Sequence, residues 1–187
     1  KVAPEHASDR VLNVMRKPSI GEFNKFSDAF DAASKRAGKE QYLVPYFIAA
    51  HPGAGLDEAI EMAAFLRKSG YKPRQVQDFI PAPMDWATAI YWTGLDPKTL
   101  TPVPVAKSLR DRTTQRALLQ WFKPENWYAV HDALKKAGRQ DLIGHHPEAL
   151  IPPRPTEAAV AAEKQRTRDR RGDGGRKDPK SYRPKRR

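Results

Sequence analysis

The sequence predicts an α/β fold: a mainly parallel sheet laid down by alternating helices and strands, followed by a helical region and a basic tail. Three observations carry this. First, Gln41 to Gly53, QYLVPYFIAAHPG, is an apolar run that stops at a His-Pro-Gly turn and hands over to a helix. Its Tyr42, Leu43, Val44, Tyr46, Phe47 and Ile48 show almost no polar alternation, which is how a parallel strand buried on both faces looks. Second, helix, strand, helix and strand alternate from Ile20 to Ile80. That spacing implies βαβ crossovers, in an open doubly wound sheet or in part of a β/α barrel. Third, charge is uneven: Glu163 to Arg187 holds twelve Lys and Arg against four Asp and Glu, so it carries +8 of the formal +12 and the rest carries +4.

The chain opens at Lys1, without Met, in KVAPEH, where Pro4 and Glu5 follow two residues that read as the last of a strand. A polar, irregular lead-in is the commoner start, so a cut through a larger protein is expected. Ile20, Phe23, Phe26, Phe30, Ala33 and Ala37 then recur at three- and four-residue steps and predict an amphipathic helix whose aromatic stripe faces a sheet. Ser19 and Glu22 have capping-box spacing, and Gly38 can close the helix in the left-handed region. After the opening strand, Asp57 to Ser69 reads as a second helix ended by Gly70. A strand follows over Gln75 to Ile80 and runs into Pro81-Ala82-Pro83.

Met84 to Thr93 is apolar without a clean period and reads as a loop or a short helix packed on the sheet. Leu95 to Lys107, with Pro97, Pro102 and Pro104, is expected to be an extended surface connection. Asp111 to Phe122 and Pro124 to Ala137 predict two helices, the second opened by Pro at its first position and closed by Gly138. A short turn, Asp141 to Ile143, ends at Gly144, and Pro152 to Pro155 closes the ordered part. Thr156 to Arg187 has Tyr182 as its one large apolar residue apart from Val160, and burial there cannot offset ordering entropy. Helix is expected to persist to Lys164, with disorder beyond. The divisions are thus Lys1 to Gly94, Leu95 to Pro155 and Thr156 to Arg187.

No apolar run approaches the roughly 18 to 20 residues that span a bilayer, and no signal-like segment opens the chain, so a soluble, cytoplasmic protein without a membrane partner is expected. Cysteine is absent. That excludes disulfides, thiolate metal sites and cysteine nucleophiles within these residues.

In a parallel sheet ligands gather beyond the carboxyl ends of the strands, which here are Ala3 to His6, Ala50 to Gly55 and Pro81 to Asp85. His51-Pro52-Gly53-Ala54-Gly55 has the form of an anion site, with glycines that admit a ligand to the backbone and a helix N-terminus behind them; it also has the form of a plain strand-to-helix turn. His6 and His51 are candidate acids, bases or ligands, or hydrogen-bonded edge residues. His145 and His146 with Glu148 hint at a metal, but adjacent histidines point apart on regular backbone. Glu5 and Asp78 lie at strand ends where a carboxylate can meet a ribose hydroxyl or an ammonium group. No P-loop, nucleophile elbow or HExxH is present. The basic tail fits either RNA or an acidic partner, or a solvated end.

Taken together, KVAPEH, KEQYLVPYFIAAHPG, VQDFIPAPMDWATAIYWTG, QRALLQWFKPENW and GRQDLIG resemble, in collinear order over Lys1 to Pro153, the C-terminal half of the YgiQ family of radical S-adenosylmethionine proteins. The resemblance implies that Lys1 to about Gly94 is the C-terminal part of a partial, TIM-like β/α barrel. Ala3 would sit on its fourth strand, Gln41 to Ala50 on its fifth and Val76 to Ile80 on its sixth. Leu95 to Pro153 would be the family's uncharacterised C-terminal domain. It also implies an enzyme that uses S-adenosyl-L-methionine and a [4Fe-4S] cluster on a CxxxCxxC loop, which cleaves the cofactor to a 5′-deoxyadenosyl radical. That loop would lie before Lys1, so this chain alone is not expected to be active. By position, Glu5 and His6 match the approach to the cofactor's ribose and methionine part. His51, Pro52 and Gly53 match the fifth-strand turn, and Phe79, Ile80 and Pro81 match the edge that packs adenine. Met84-Asp85-Trp86 is bulkier than the Gly-Thr turn many such families place there. The substrate is unknown, the missing N-terminal part is an implied partner, and an isolated chain with an unpaired sheet edge is expected to be poorly soluble.

Overall fold

The computed structural model describes residues 1–173. Three strands, β1 (Val2–Glu5), β2 (Pro45–Ala49) and β3 (Gln77–Asp78), form a parallel sheet in the order β1-β2-β3. The pairing runs Val2 to Pro45 and Glu5 to Phe47, then Ile48 to Gln77 and Ala49 to Asp78. Because the strands are parallel, all three carboxyl ends lie on one edge.

Around the sheet are α1 (Asp9–Val14), α2 (Ile20–Arg36), α3 (Leu56–Lys68), α4 (Trp86–Thr93), α5 (Leu109–Leu119), α6 (Trp127–Lys136) and α7 (Glu157–Asp173). Short 3-10 turns at Pro124–Asn126 and Gln140–Leu142 flank α6. The core is one cluster that runs from Phe47 and Ala49 of β2 through Ile60, Ala63 and Leu66 of α3 to Leu118 and Leu119 of α5, and on to Trp127, Val130 and Leu134 of α6. Helices α3 and α5 pack on each other and hold one face of β2. Burial of each of these large side chains contributes about 1.5–3 kcal/mol, and that fixes the edge where the strands end.

Several expectations change. The strand starts at Pro45, not at Gln41, and Tyr42 is 73% exposed. Nor is β2 buried on both faces: Phe47 and Ala49 enter the core, while Tyr46 is 43% exposed and Ile48 half-buried on the other side. The apolar run looks like a doubly covered strand, but helices cover only one side of it here. The third strand shrinks to two residues, extended by one bond from the Phe79 N–H to the Ala49 carbonyl at 2.8 Å, because prolines at 73, 81 and 83 bracket it. The helix α2 forms as expected, yet Ser34 is its one buried residue, Phe26 is 49% exposed and Phe23 and Phe30 are half-buried, so its aromatic stripe is not core. Its capping box is not made either: Ser19 makes no side-chain cap, and the Ile20 N–H goes instead to Asp9 Oδ1 at 2.9 Å.

The segment after Met84 resolves as the short helix α4, capped by Asp85 Oδ1 accepting from the Ala87 N–H. The first helix of the C-terminal region begins earlier than Asp111, at Leu109, because Ser108 caps it and accepts from the Asp111 N–H at 3.0 Å. Helix continues past Lys164 to Asp173, where disorder was expected. The remainder of that expectation, from residue 174 on, lies outside the described residues. The helix α1 has no counterpart in the sequence reading; at six residues its period is too short to see.

Candidate functional site

The carboxyl edge of the sheet brings together Glu5 at the end of β1 with His6 just beyond it, His51 after β2 and Phe79 after β3. Two turns are forced there, since Glu5 and Ala50 take positive φ, 65° and 59°. Strain of this kind, about 1–3 kcal/mol per residue, persists where the surroundings over-determine it.

His6 is fully buried, and its Nδ1 accepts from the Ser8 N–H at 3.0 Å. An imidazole nitrogen that accepts carries no proton, so neutral His6 holds its proton on Nε2. That N–H has no partner among the described residues, and neither does the neighbouring buried Ser8 hydroxyl. Desolvation, and then the neighbouring His51, push the His6 pKa down to about 3.

His51 has the opposite tautomer. Its Nδ1–H donates to the Pro52 carbonyl at 2.8 Å, which leaves Nε2 as a lone pair. Burial lowers its pKa, outweighing the opposite effects of the Pro52 carbonyl, Glu5 and Asp85. The ring stands edge-on to Phe79 at 5.1 Å between centroids, and Phe79 packs in turn on Tyr91 at 5.7 Å. Glu5 is paired with Lys17, Oε1 to Nζ 3.2 Å, and Lys17 also donates to the Ala3 carbonyl at 3.1 Å. The edge therefore offers one carboxylate, one imidazole acceptor, one buried imidazole donor and an aromatic wall.

The His51-Pro52-Gly53 turn is held by groups of this chain. The Gly53 N–H donates to the Pro104 carbonyl at 2.8 Å and the Ala54 N–H to the His51 carbonyl at 2.9 Å. Gln115 of α5 clamps it from behind: its Oε1 accepts from the Ala50 N–H at 2.9 Å and its Nε2 donates to the Ala54 carbonyl at 2.7 Å. Gly53 itself has φ 93°, and a Cβ there would stand 3.0 Å from Val14 of α1. Both facts give glycine a packing reason. With its Gly53 and Ala54 donors used, the turn reads as a structural turn and not as a backbone anion site.

Of the other sequence candidates, Ile80 turns to solvent at 70% exposure and Pro81 is half-buried. Asp78 is engaged by the Arg116 guanidinium through both its oxygens, on the α5 side. His146 Nε2 donates to the Asp141 carbonyl at 2.8 Å. Among the described residues no three His, Asp or Glu side chains gather as a metal site. Gln115 was missed, and no local signal marks it, because its partners lie more than sixty residues away in sequence. No helix of the described residues is long and apolar enough to cross a membrane.

Comparison with known proteins adds a lineage. The model of a domain of unknown function, DUF3362, matches residues 74–186. The chain is 46% identical over 151 residues to a UPF0313 protein of Clostridium perfringens, across 81% of this chain and 23% of that protein. It is 47% identical over 152 residues to one of Clostridium botulinum, across 81% and 24%. With one of Rhodopseudomonas palustris it shares 42% over 180 residues, across 93% and 26%. The chain thus spans about a quarter of the length of the relatives it matches. No solved structure matches.

Proposed function

From the premise that the chain belongs to the DUF3362 family within the UPF0313 (YgiQ) proteins, we propose that it is the closing part of a radical S-adenosylmethionine barrel with its C-terminal extension. The observation that supports this reading best is the sheet among the described residues. Three parallel strands follow one another in chain order, α3 and α5 pack with the Phe47 and Ala49 side of β2 in the core, and among the described residues the Tyr46 and Ile48 side is the less covered one. A doubly wound sheet covers both faces, whereas a strip of β/α barrel has helices on one face and keeps the other for the barrel interior.

The residues present bear differently on the two cofactors. The chain contains no cysteine, so no residue of it fits a [4Fe-4S] cluster. The carboxyl edge carries groups that support a nucleoside-bearing ligand. Glu5 is a carboxylate suited to ribose hydroxyls, Phe79 is an apolar wall, His51 Nε2 is an acceptor, and the orphaned Nε2–H of His6 is a buried donor. S-adenosyl-L-methionine, held with a reduced cluster, supplies one-electron chemistry; the role of this chain is to hold and orient it. His6 and His51 are neutral at pH 7, so they position by hydrogen bonding and not by charge. The substrate and the reaction class are left open by these residues.

The gene sequence upstream of Lys1 tests the assignment. A CxxxCxxC motif within the preceding strand-and-loop region is expected, and a complete upstream reading frame without one contradicts the proposal.

A further inference from the structure

A pocket lies at the opposite end of the sheet from the strand edge described above. Helix α3 runs back from the His51 turn, and Arg67 sits in its last turn, about 16 Å along the axis from Leu56. Tyr71 fixes that end to the start of the sheet, since its hydroxyl donates at 3.1 Å to the carbonyl of Pro45, the first residue of β2. Here the end of α3, the end of α5 and residues 144–152 border a pocket of about 270 Å³. Pockets that take a whole small ligand run to roughly 300–1,000 Å³, so this one fits a head group.

The charged side chains that line it are of one sign. Arg67 of α3 and Lys72 just after it are joined by the imidazoles of His145 and His146, and no Asp or Glu is among the lining residues. The acids nearest to the two histidines in sequence are otherwise placed: Asp141 is held by Arg139 through two bonds of 2.9 Å, and Glu148 is exposed and lies outside the lining. Arg67 and Lys72 take part in none of the ion pairs of the described residues. A cation in the last turn suits the dipole of α3, but the exposed Lys68 serves that purpose from solvent. Arg67 is half-buried, and its Nε–H is covered with no partner among the described residues, which is costly to leave unmet.

The walls are held by bonds of this chain, so the pocket is formed before anything enters it. Gln120 Nε2 donates to the Pro73 and Arg74 carbonyls at 3.1 and 2.8 Å and fixes the turn that carries Lys72. On the other wall the Gly144 N–H donates to the Ile151 carbonyl at 3.0 Å and the Trp127 indole N–H to the Pro152 carbonyl at 3.1 Å. Gly144 leaves room for the His146 ring, from which a Cβ would stand 2.8 Å. The Nε2–H of that ring is spent on the Asp141 carbonyl, so His146 is wall, and the exposed His145 is the imidazole with an N–H to give. Trp121, 4% exposed, and the half-buried Phe122 supply an apolar surface. Two cations without an acid match a dianion better than the single charge of a carboxylate, and a guanidinium fork suits phosphate oxygens.

We propose that this pocket binds a phosphoryl group, as free phosphate or as the head of a small phosphomonoester. Arg67 and Lys72 hold its oxygens, His145 adds a donor, and Trp121 and Phe122 take the organic part. The site is separate from the cofactor reading of the strand edge and does not depend on it.

The test is isothermal titration of the full chain, in phosphate-free buffer, with inorganic phosphate, phenyl phosphate and benzoate, each up to about 10 mM. Saturable one-to-one binding of phosphate is expected, with benzoate at least about tenfold weaker than phenyl phosphate. Arg67→Gln should weaken phosphate by at least about tenfold. Lys72→Gln, at an exposed position where folding is not at stake, should weaken it about threefold or more. Lys25→Gln, on α2 and paired there with Glu22, should change nothing, and circular dichroism should show all variants folded. Tighter binding of phenyl phosphate than of phosphate assigns the ligand to a phosphomonoester, and equal binding assigns it to free phosphate; both support the site. Four results would overturn it: no saturable binding of either phosphate, benzoate as tight as phenyl phosphate, affinity indifferent to Lys72→Gln in a folded protein, or an equal loss with Lys25→Gln.

Discussion

His6 is buried as a neutral imidazole whose tautomer is set by the Ser8 N–H, and a buried neutral histidine links stability to pH. Its pKa falls from 6.5 in the unfolded chain to about 3 in the folded one, so between those values the unfolded state binds the extra proton. The stability it contributes is complete above pH 6.5 and is lost as pH falls toward 3. His51 is shifted in the same direction. Between pH 6.5 and 5, where most carboxylates stay ionised, His6 contributes up to about 1.4 kcal/mol of lost stability per pH unit. Urea melts across that window should show the decline in the native chain and a flatter one in His6→Leu; a pH-independent midpoint would contradict the buried-neutral assignment. Gln115 makes a second residue-scale case. Its two bonds satisfy a buried N–H and a carbonyl across the His51 turn, and Gln115→Ala leaves both unmet. The expected cost is about 2–6 kcal/mol in denaturant melts, at about 1–3 kcal/mol per unsatisfied buried group.

At the scale of elements, packing decides what the sequence pattern leaves open. Leu118 of α5 is fully buried in the α3 and α5 interface, so Leu118→Ala should cost about 2–5 kcal/mol by thermal or urea melts. Phe26→Ser on the exposed stripe of α2 should cost under about 0.5 kcal/mol in the same assay. The sequence pattern places Phe26 on an apolar stripe as well. The periodicity of Ile20, Phe23, Phe26 and Phe30 reveals a helix and which side is apolar, but not whether anything covers that side. The same holds for β2. Its residue types and its His-Pro-Gly ending identify a strand followed by a helix, and the pairing with β1 and β3 is parallel, as the alternation of elements implied. Its one-sided burial depends on neighbours that local sequence does not encode. Ser108 shows a further case: its cap on α5 lies three residues before Asp111, where the apolar pattern of that helix begins.

At the scale of the whole molecule, strand ends are the part of the candidate site that topology makes legible. Glu5, His6, His51 and Phe79 come to one edge because three parallel strands end there. The tie through Gln115 and the turning away of Ile80 are long-range and exposure effects, and no spacing in the chain announces them. The helices-on-one-face sheet is likewise a property of the assembled molecule, and it is the basis for reading the chain as one part of a barrel. The full-length protein gives the most direct test. Purified without oxygen, with its cluster reconstituted, and reduced with dithionite, it should convert S-adenosyl-L-methionine to 5′-deoxyadenosine and methionine, detected by mass spectrometry. Intact cofactor and no 5′-deoxyadenosine, in a protein whose cluster is present by its absorbance, would contradict the account.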